Sequence, residues 1–175
     1  MDTEALAFAR DLMRYCFRTL SGTDLELRAI DSGVLSRSPF TSTMGRALIL
    51  YSKSIHRYIY LSVVTYMEHI MRDTREFLQF AQVIADAFYE DCVFFEWTAT
   101  CSFIVKMCLL LHTPGDETLA LMGCYAVAMV YSKFKMQFNL EGGWRNYHVF
   151  CCAHIYSLKV QGIVEPRHYE TNRCF

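Results

Sequence analysis

The side chains best suited to chemistry in this 175-residue chain are thiols and imidazoles. Cys108 and His112 stand four residues apart, and His148, Cys151, Cys152 and His154 cluster further on. Spacings like these can share a helix face, and a shared face can hold a metal. Neither group supplies four ligands in a recognised pattern. Both therefore read as packing residues with satisfied histidines, and no metal or other cofactor is expected. A Cys/His nucleophile would have to be assembled in space rather than in sequence. The chain carries no G-x-S-x-G elbow, no phosphate-cradling glycine loop and no H-E-x-x-H. Its carboxylates are scattered. These absences point away from an enzyme.

The aromatic residues are more informative. Tyr58, Tyr66, Phe77, Phe80, Phe88, Phe94, Phe95 and Trp97 come from adjoining amphipathic segments. Stripes this wide can all be core, or they can leave an apolar cleft that accepts the face of a partner helix at i, i+3/i+4 and i+7 spacing. Periodicity alone leaves both open.

Composition narrows the class. Lys plus Arg is 17 against 18 Asp plus Glu, a net charge of −1. That balance argues against a protein that binds nucleic acid by neutralising phosphates. Hydrophobic residues are 53%, too many for a disordered chain, and the length suits one domain, 1–175, with a buried core. The eight cysteines (Cys16, Cys92, Cys101, Cys108, Cys124, Cys151, Cys152 and Cys174) form no C-x-x-C pair. The opening MDTEALAFARD has acids and an arginine where a secretory leader needs a basic start and an apolar run. The cysteines thus read as reduced core residues of a cytoplasmic protein, with Cys151 and Cys152 still able to oxidise or cross-link two chains. No apolar run reaches the roughly 20 residues of a membrane span. Lys106 interrupts 97–111, 119–131 is short, and the tail 162–175 is polar. A soluble protein without a membrane anchor is expected.

Nearly every apolar segment repeats with helical period. Leu6, Ala9, Met13, Cys16, Phe17 and Leu20 share one face, with Thr3 as N-cap and Ser21-Gly22 as stop. A polar loop over 22–43, containing Gly33 and Pro39, has room for one helical turn. The apolar residues from Met44 to Ile70 predict one long helix or two joined by a kink. Asp73 and Glu76 resemble a capping box opening a helix with Phe77, Phe80, Ala81, Ile84, Ala87 and Phe88 on one stripe; Glu90 and Asp91 close it. Segments 95–111 and 117–136 are apolar nearly all round and flank the turn Thr113-Pro114-Gly115-Asp116. They predict a buried antiparallel hairpin wrapped by amphipathic helices. A last helix is expected over 144–158, after Gly142-Gly143. The fold class is all-α.

Motifs then add a family. Glu141-Gly142-Gly143-Trp144-Arg145-Asn146-Tyr147 resembles the second homology motif of the Bcl-2 family of apoptosis regulators, where a Gly-Gly-Trp turn starts a helix after the buried hairpin. The segment Phe88-Tyr89-Glu90-Asp91-Cys92-Val93-Phe94-Phe95-Glu96-Trp97 resembles the first motif, with Asp91 and Val93 matching and Phe95 in the tryptophan position. Leu48 to Ile55 can be laid on the third motif, with Leu48 as its key leucine and Ser52 as its small residue. The helix over 5–22 resembles the fourth. Trp97 aligns with the arginine that usually pairs with an aspartate of the bound helix, and Lys53 replaces the third motif's own aspartate. The divergence and the compact loop are similar to the homologues carried by large DNA viruses.

The resemblance implies a Bcl-2-like bundle with a surface groove, acting as an inhibitor of apoptosis. Such a protein sequesters the amphipathic death-motif helix of a pro-apoptotic protein such as Bim or Bak. It would be peripheral at mitochondria only through its partners. Mapped residue by residue, Ile55, Tyr58, Ile59, Val63 and Tyr66 form one wall, and Phe80, Ile84 and Phe88 the floor and opposite wall. Phe94, Trp97, Thr100 and Ile104 line the base, and Tyr147 and Cys151 close one end. Ile84→Glu or Phe88→Ala should then abolish binding with the fold intact. The competing expectations are a homodimer that buries two grooves against each other, and a pro-apoptotic member of the same fold. Lys53 and the absent anchor weigh against the latter.

Overall fold

The computed structural model describes residues 2–31, 37–70, 73–88 and 91–164. All regular structure among them is helical, in eight helices without a strand. The first, α1 (Thr3–Ser21), is capped by Asp2, whose carboxylate accepts from the backbone N–H groups of Glu4 and Ala5, both at 3.0 Å. The cap is thus one residue earlier than the expected Thr3. A carboxylate also suits the positive end of the helix dipole. The helix stops where Gly22 turns left-handed at φ 69°.

The polar loop holds one helical turn, α2 (Arg28–Asp31). Arg14 ties it down through Asp31 (2.6 Å) and the Leu25 carbonyl (3.1 Å). Gly33 lies outside the described residues. The apolar stretch that follows is two helices, α3 (Ser42–Ser54) and α4 (His56–Ile70), jointed at Ile55. Asp73 caps α5 (Thr74–Ala87) by accepting from the Glu76 N–H at 2.8 Å. Phe88 follows as C-cap; Glu90 lies outside the described residues.

The hairpin is α6 (Val93–Leu111) and α7 (Thr118–Leu140). Asp116 N–H bonds the Thr113 carbonyl at 3.0 Å, and Gly115 supplies a φ of 85° that closes the turn. Register confirms that the pair is antiparallel: Trp97 meets Phe134 while Cys108 donates to the Leu119 carbonyl. α6 is buried almost all round, packed by α1, α3, α4, α5 and α7. α7 is not. Its second half leaves Ser132, Lys133, Lys135 and Met136 exposed, so the two members of the hairpin differ in depth. At Gly123 a side chain would collide with Met13 of α1 and the Cys108 sulfur, which is how close the three backbones come. The last helix, α8 (Gly143–Val160), lies on α3 and α7.

One expectation changes here. By length and composition α6, 19 residues long, is apolar enough to cross a membrane despite Lys106, although most of it is buried in the bundle. The polar tail beyond 164, with Cys174, lies outside the described residues. The seven described cysteines are all free thiols. Burial pushes those of Cys16, Cys101, Cys108 and Cys124 far above their ordinary range, and that of Cys151 up to about 12.

Candidate functional site

The chemical candidates disperse. His148 hydrogen-bonds the Thr41 hydroxyl at 3.0 Å, while His154 stacks on Phe150 with ring centroids 5.3 Å apart. Cys151 is buried, and Cys152, although exposed, lies 3.8 Å from His148 Nε2. Cys108 turns to the Leu119 carbonyl and His112 sits edge-on to Phe17. No three metal-ligating side chains converge among the described residues.

The aromatics, by contrast, assemble in two places. The first is a seam. α4 and α5 run antiparallel, so that Tyr58 meets Phe88 (centroids 6.1 Å) and Tyr66 meets Phe80 (5.5 Å). Beneath them Phe103 rises from α6, fully buried, within 6.0 Å of Tyr58, 6.1 Å of Phe80 and 6.3 Å of Phe88. The tyrosines remain 47% and 48% exposed, and Phe80 and Phe88 are half-buried. These are large apolar areas that the described residues leave uncovered.

The second assembly is a box around Trp97. Phe8 of α1, Tyr131, Phe134 and Phe138 of α7 and Trp144 of α8 surround the indole at 5.5–6.3 Å. Trp144 stacks on Phe8 at 4.6 Å and on Tyr131 at 5.2 Å. Phe94 joins through Phe138 (5.0 Å) and Tyr147 (5.7 Å). Tyr147 reaches the Thr98 hydroxyl at 3.2 Å. The Gly-Gly-Trp turn builds this box. Gly142 stands at φ 100°, where Asn146 leaves no space for a side chain, and Gly143 at φ 63° delivers Trp144 inward.

The fourteen residues expected in the groove therefore separate. Tyr58, Tyr66, Phe80 and Phe88 come together in the seam. Ile55 is the half-buried joint between α3 and α4. Ile59, Val63 and Ile84 are buried beneath α4 and α5, and Thr100 and Ile104 are buried in α6. Phe94, Trp97 and Tyr147 belong to the box rather than to a groove base, and Cys151 is buried on α8. Trp97 is fully buried, so it cannot stand in at a ligand surface for the arginine it aligns with. Ile84 is 4% exposed, and a glutamate there would bury a carboxylate, so Ile84→Glu becomes a folding variant. The open cleft is also corrected, since the two walls touch ring to ring. Phe103, the floor of the seam, was missed. α6 is apolar on every side, so its pattern singles out no stripe as the one facing α4 and α5.

Comparison with known proteins finds no matching family model, no matching curated protein and no matching solved structure.

Proposed function

We propose that this chain is an inhibitor of apoptosis that captures the amphipathic death-motif helix of a pro-apoptotic protein, such as Bim or Bak, in the seam between α4 and α5. The observation that carries the reading is the pair of half-exposed tyrosines, Tyr58 and Tyr66, facing Phe80 and Phe88 over Phe103. Four rings over an apolar floor offer the kind of surface that the apolar face of a helix packs against. The neighbouring buried hairpin, and a Gly-Gly-Trp turn that packs Trp144 against it, support the Bcl-2 resemblance. Each anchor that the seam buries is worth about 1.5–3 kcal/mol. Entry must first part Tyr58 from Phe88 and Tyr66 from Phe80, and each such ring pair is worth about 0.5–1.5 kcal/mol beyond its area. Binding is then an opening of the seam with partial loss of its own contacts, weaker than docking into a preformed slot.

Calorimetric titration with death-motif peptides of Bim and Bak tests this. The wild type should bind at least one of them, and Tyr58→Ala and Phe88→Ala should each weaken it. Failure of every peptide to bind, or affinity unchanged in both variants, would refute the seam as the site. Rescue of cells challenged with an apoptotic stimulus fixes the sign, since a pro-apoptotic member would deepen the killing.

A further inference from the structure

α4 carries apolar residues on two sides, one buried and one exposed. Ile59, Val63 and Ile70 point into the bundle, while Tyr60, Leu61, Val64 and Met67 point away from it and are 42%, 54%, 57% and 48% exposed. Their spacing, i, i+1, i+4, i+7, is that of a helix–helix contact stripe. Arg57 flanks it at one end and Glu68 at the other, both exposed. Eleven residues return a helix to within about 20° of the same face, so both charges lie on the stripe. No ion pair within the chain engages either of them among the described residues.

A stripe that is basic at its start, apolar in its middle and acidic at its end is complementary to itself when reversed. We infer that the outward face of α4 is a two-fold interface with a second copy of this chain, the two α4 helices packing antiparallel. Arg57 then faces the partner's Glu68, Leu61 faces the partner's Val64, and Tyr60 faces the partner's Met67, each contact made twice by symmetry. A parallel pairing is excluded by charge, because it sets Arg57 beside its own copy. The other basic groups at this end are Lys53 on α3, His56 on α4 and Lys106 on α6, which feel one another's charge. They make an acid-bearing end the favoured neighbour. The stripe shares no residue with the seam, so the interface does not depend on the proposed function.

Sedimentation velocity under reducing conditions tests it, with the full chain over a range of concentrations. The wild type should form a dimer. Leu61→Glu and Val64→Glu should be monomeric with an unchanged helical circular dichroism spectrum. Arg57→Glu should weaken association on the order of tenfold, and Arg57→Glu combined with Glu68→Arg should restore it. Saturation with a Bim death-motif peptide should leave the dimer intact. A wild type that stays monomeric, a dimer indifferent to the charge variants, or one dissolved by peptide would each overturn the assignment. So would a monomer that pellets with phosphatidylcholine–phosphatidylserine vesicles and loses this on Val64→Glu, which would give the face to a membrane instead.

Discussion

Trp97 and Phe103 lie six residues apart on α6, and each gathers a set of rings. Around Trp97 the rings come from three helices, α1, α7 and α8, and the indole is wholly enclosed. Around Phe103 they come from α4 and from α5 with its cap, and the two tyrosines keep half their surface in solvent. The residue types are the same. The difference lies in how many elements arrive. Where α1, α7 and α8 converge, all aromatic area is used for stability. Where only α4 and α5 lie over α6, part of it remains exposed.

The sharpest way to break that comparison is to remove one ring from each set. Trp97→Ala should cost about 3–5 kcal/mol of stability, the range for a large aromatic cut out of a packed core, read by urea or thermal unfolding. Tyr58→Ala should cost less, about 1 kcal/mol, because the half-exposed ring gives up only its contacts with Phe88 and Phe103. Equal losses would mean that box and seam are one core.

Binding gives the next effect. Tyr58→Ala and Tyr66→Ala together should lower death-motif peptide affinity by roughly 10- to 100-fold, about one apolar anchor net of the ring contacts that no longer have to be parted, with a smaller fall in unfolding midpoint than Trp97→Ala causes. A box variant that remains folded at the assay temperature should keep its affinity. Loss of binding in Trp97→Ala below its unfolding transition would erase the distinction between the two sets.

Much of the scaffold was legible because its signals are local. The caps at Asp73 and Gly22, the Pro114-Gly115 turn and the helical periods all act within a few residues. The break near Ile55 was foreseen only as one of two options, since its position depends on where α6 lies beneath the joint. The seam was half legible. Tyr58, Tyr66, Phe80 and Phe88 stand out on amphipathic stripes, whose polar sides mark which way they face. Phe94, Trp97 and Phe103 sit on a helix with no polar side, so nothing local tells which neighbour each one meets. The resemblance placed Trp97 at the groove because of its register in the first motif. Trp97 instead faces inward, because α1, α7 and α8 converge on its side of α6.

A smaller effect sharpens the account of how the box is built. Gly142→Ala should cost about 1–2 kcal/mol, the penalty for forcing a Cβ into the left-handed region, with Asn146 pressed against the new methyl group. Because the turn aims Trp144, the near-ultraviolet signal of the tryptophans should change as well. Gly115→Ala, with a φ of 85° but open space around it, should cost stability through backbone strain alone and leave that signal intact.

The smallest effect concerns the rim of the box. His154 lies against Phe150, Phe95 and Tyr51, and its Nε2 is buried with no hydrogen-bond partner among the described residues. Burial holds the imidazole below its ordinary value of 6.5. Above that value the ring is neutral in both the folded and the unfolded chain, so stability is independent of its titration. As the pH falls through 6.5 the unfolded chain takes up a proton that the folded ring resists, and stability declines until the lower folded pKa is passed. Thermal unfolding from about pH 7.5 down to about pH 5.5 should therefore lower the midpoint of the wild type more than that of His154→Gln. His56 is also held below its ordinary value, by burial and by Lys106, so the variant should keep part of the slope rather than lose all of it. Identical slopes would show that His154 titrates as freely as in water and that the rim is open. Peptide affinity at the seam should be unchanged in His154→Gln, because the ring neighbours of His154 are Tyr51, Phe95 and Phe150 rather than the seam aromatics.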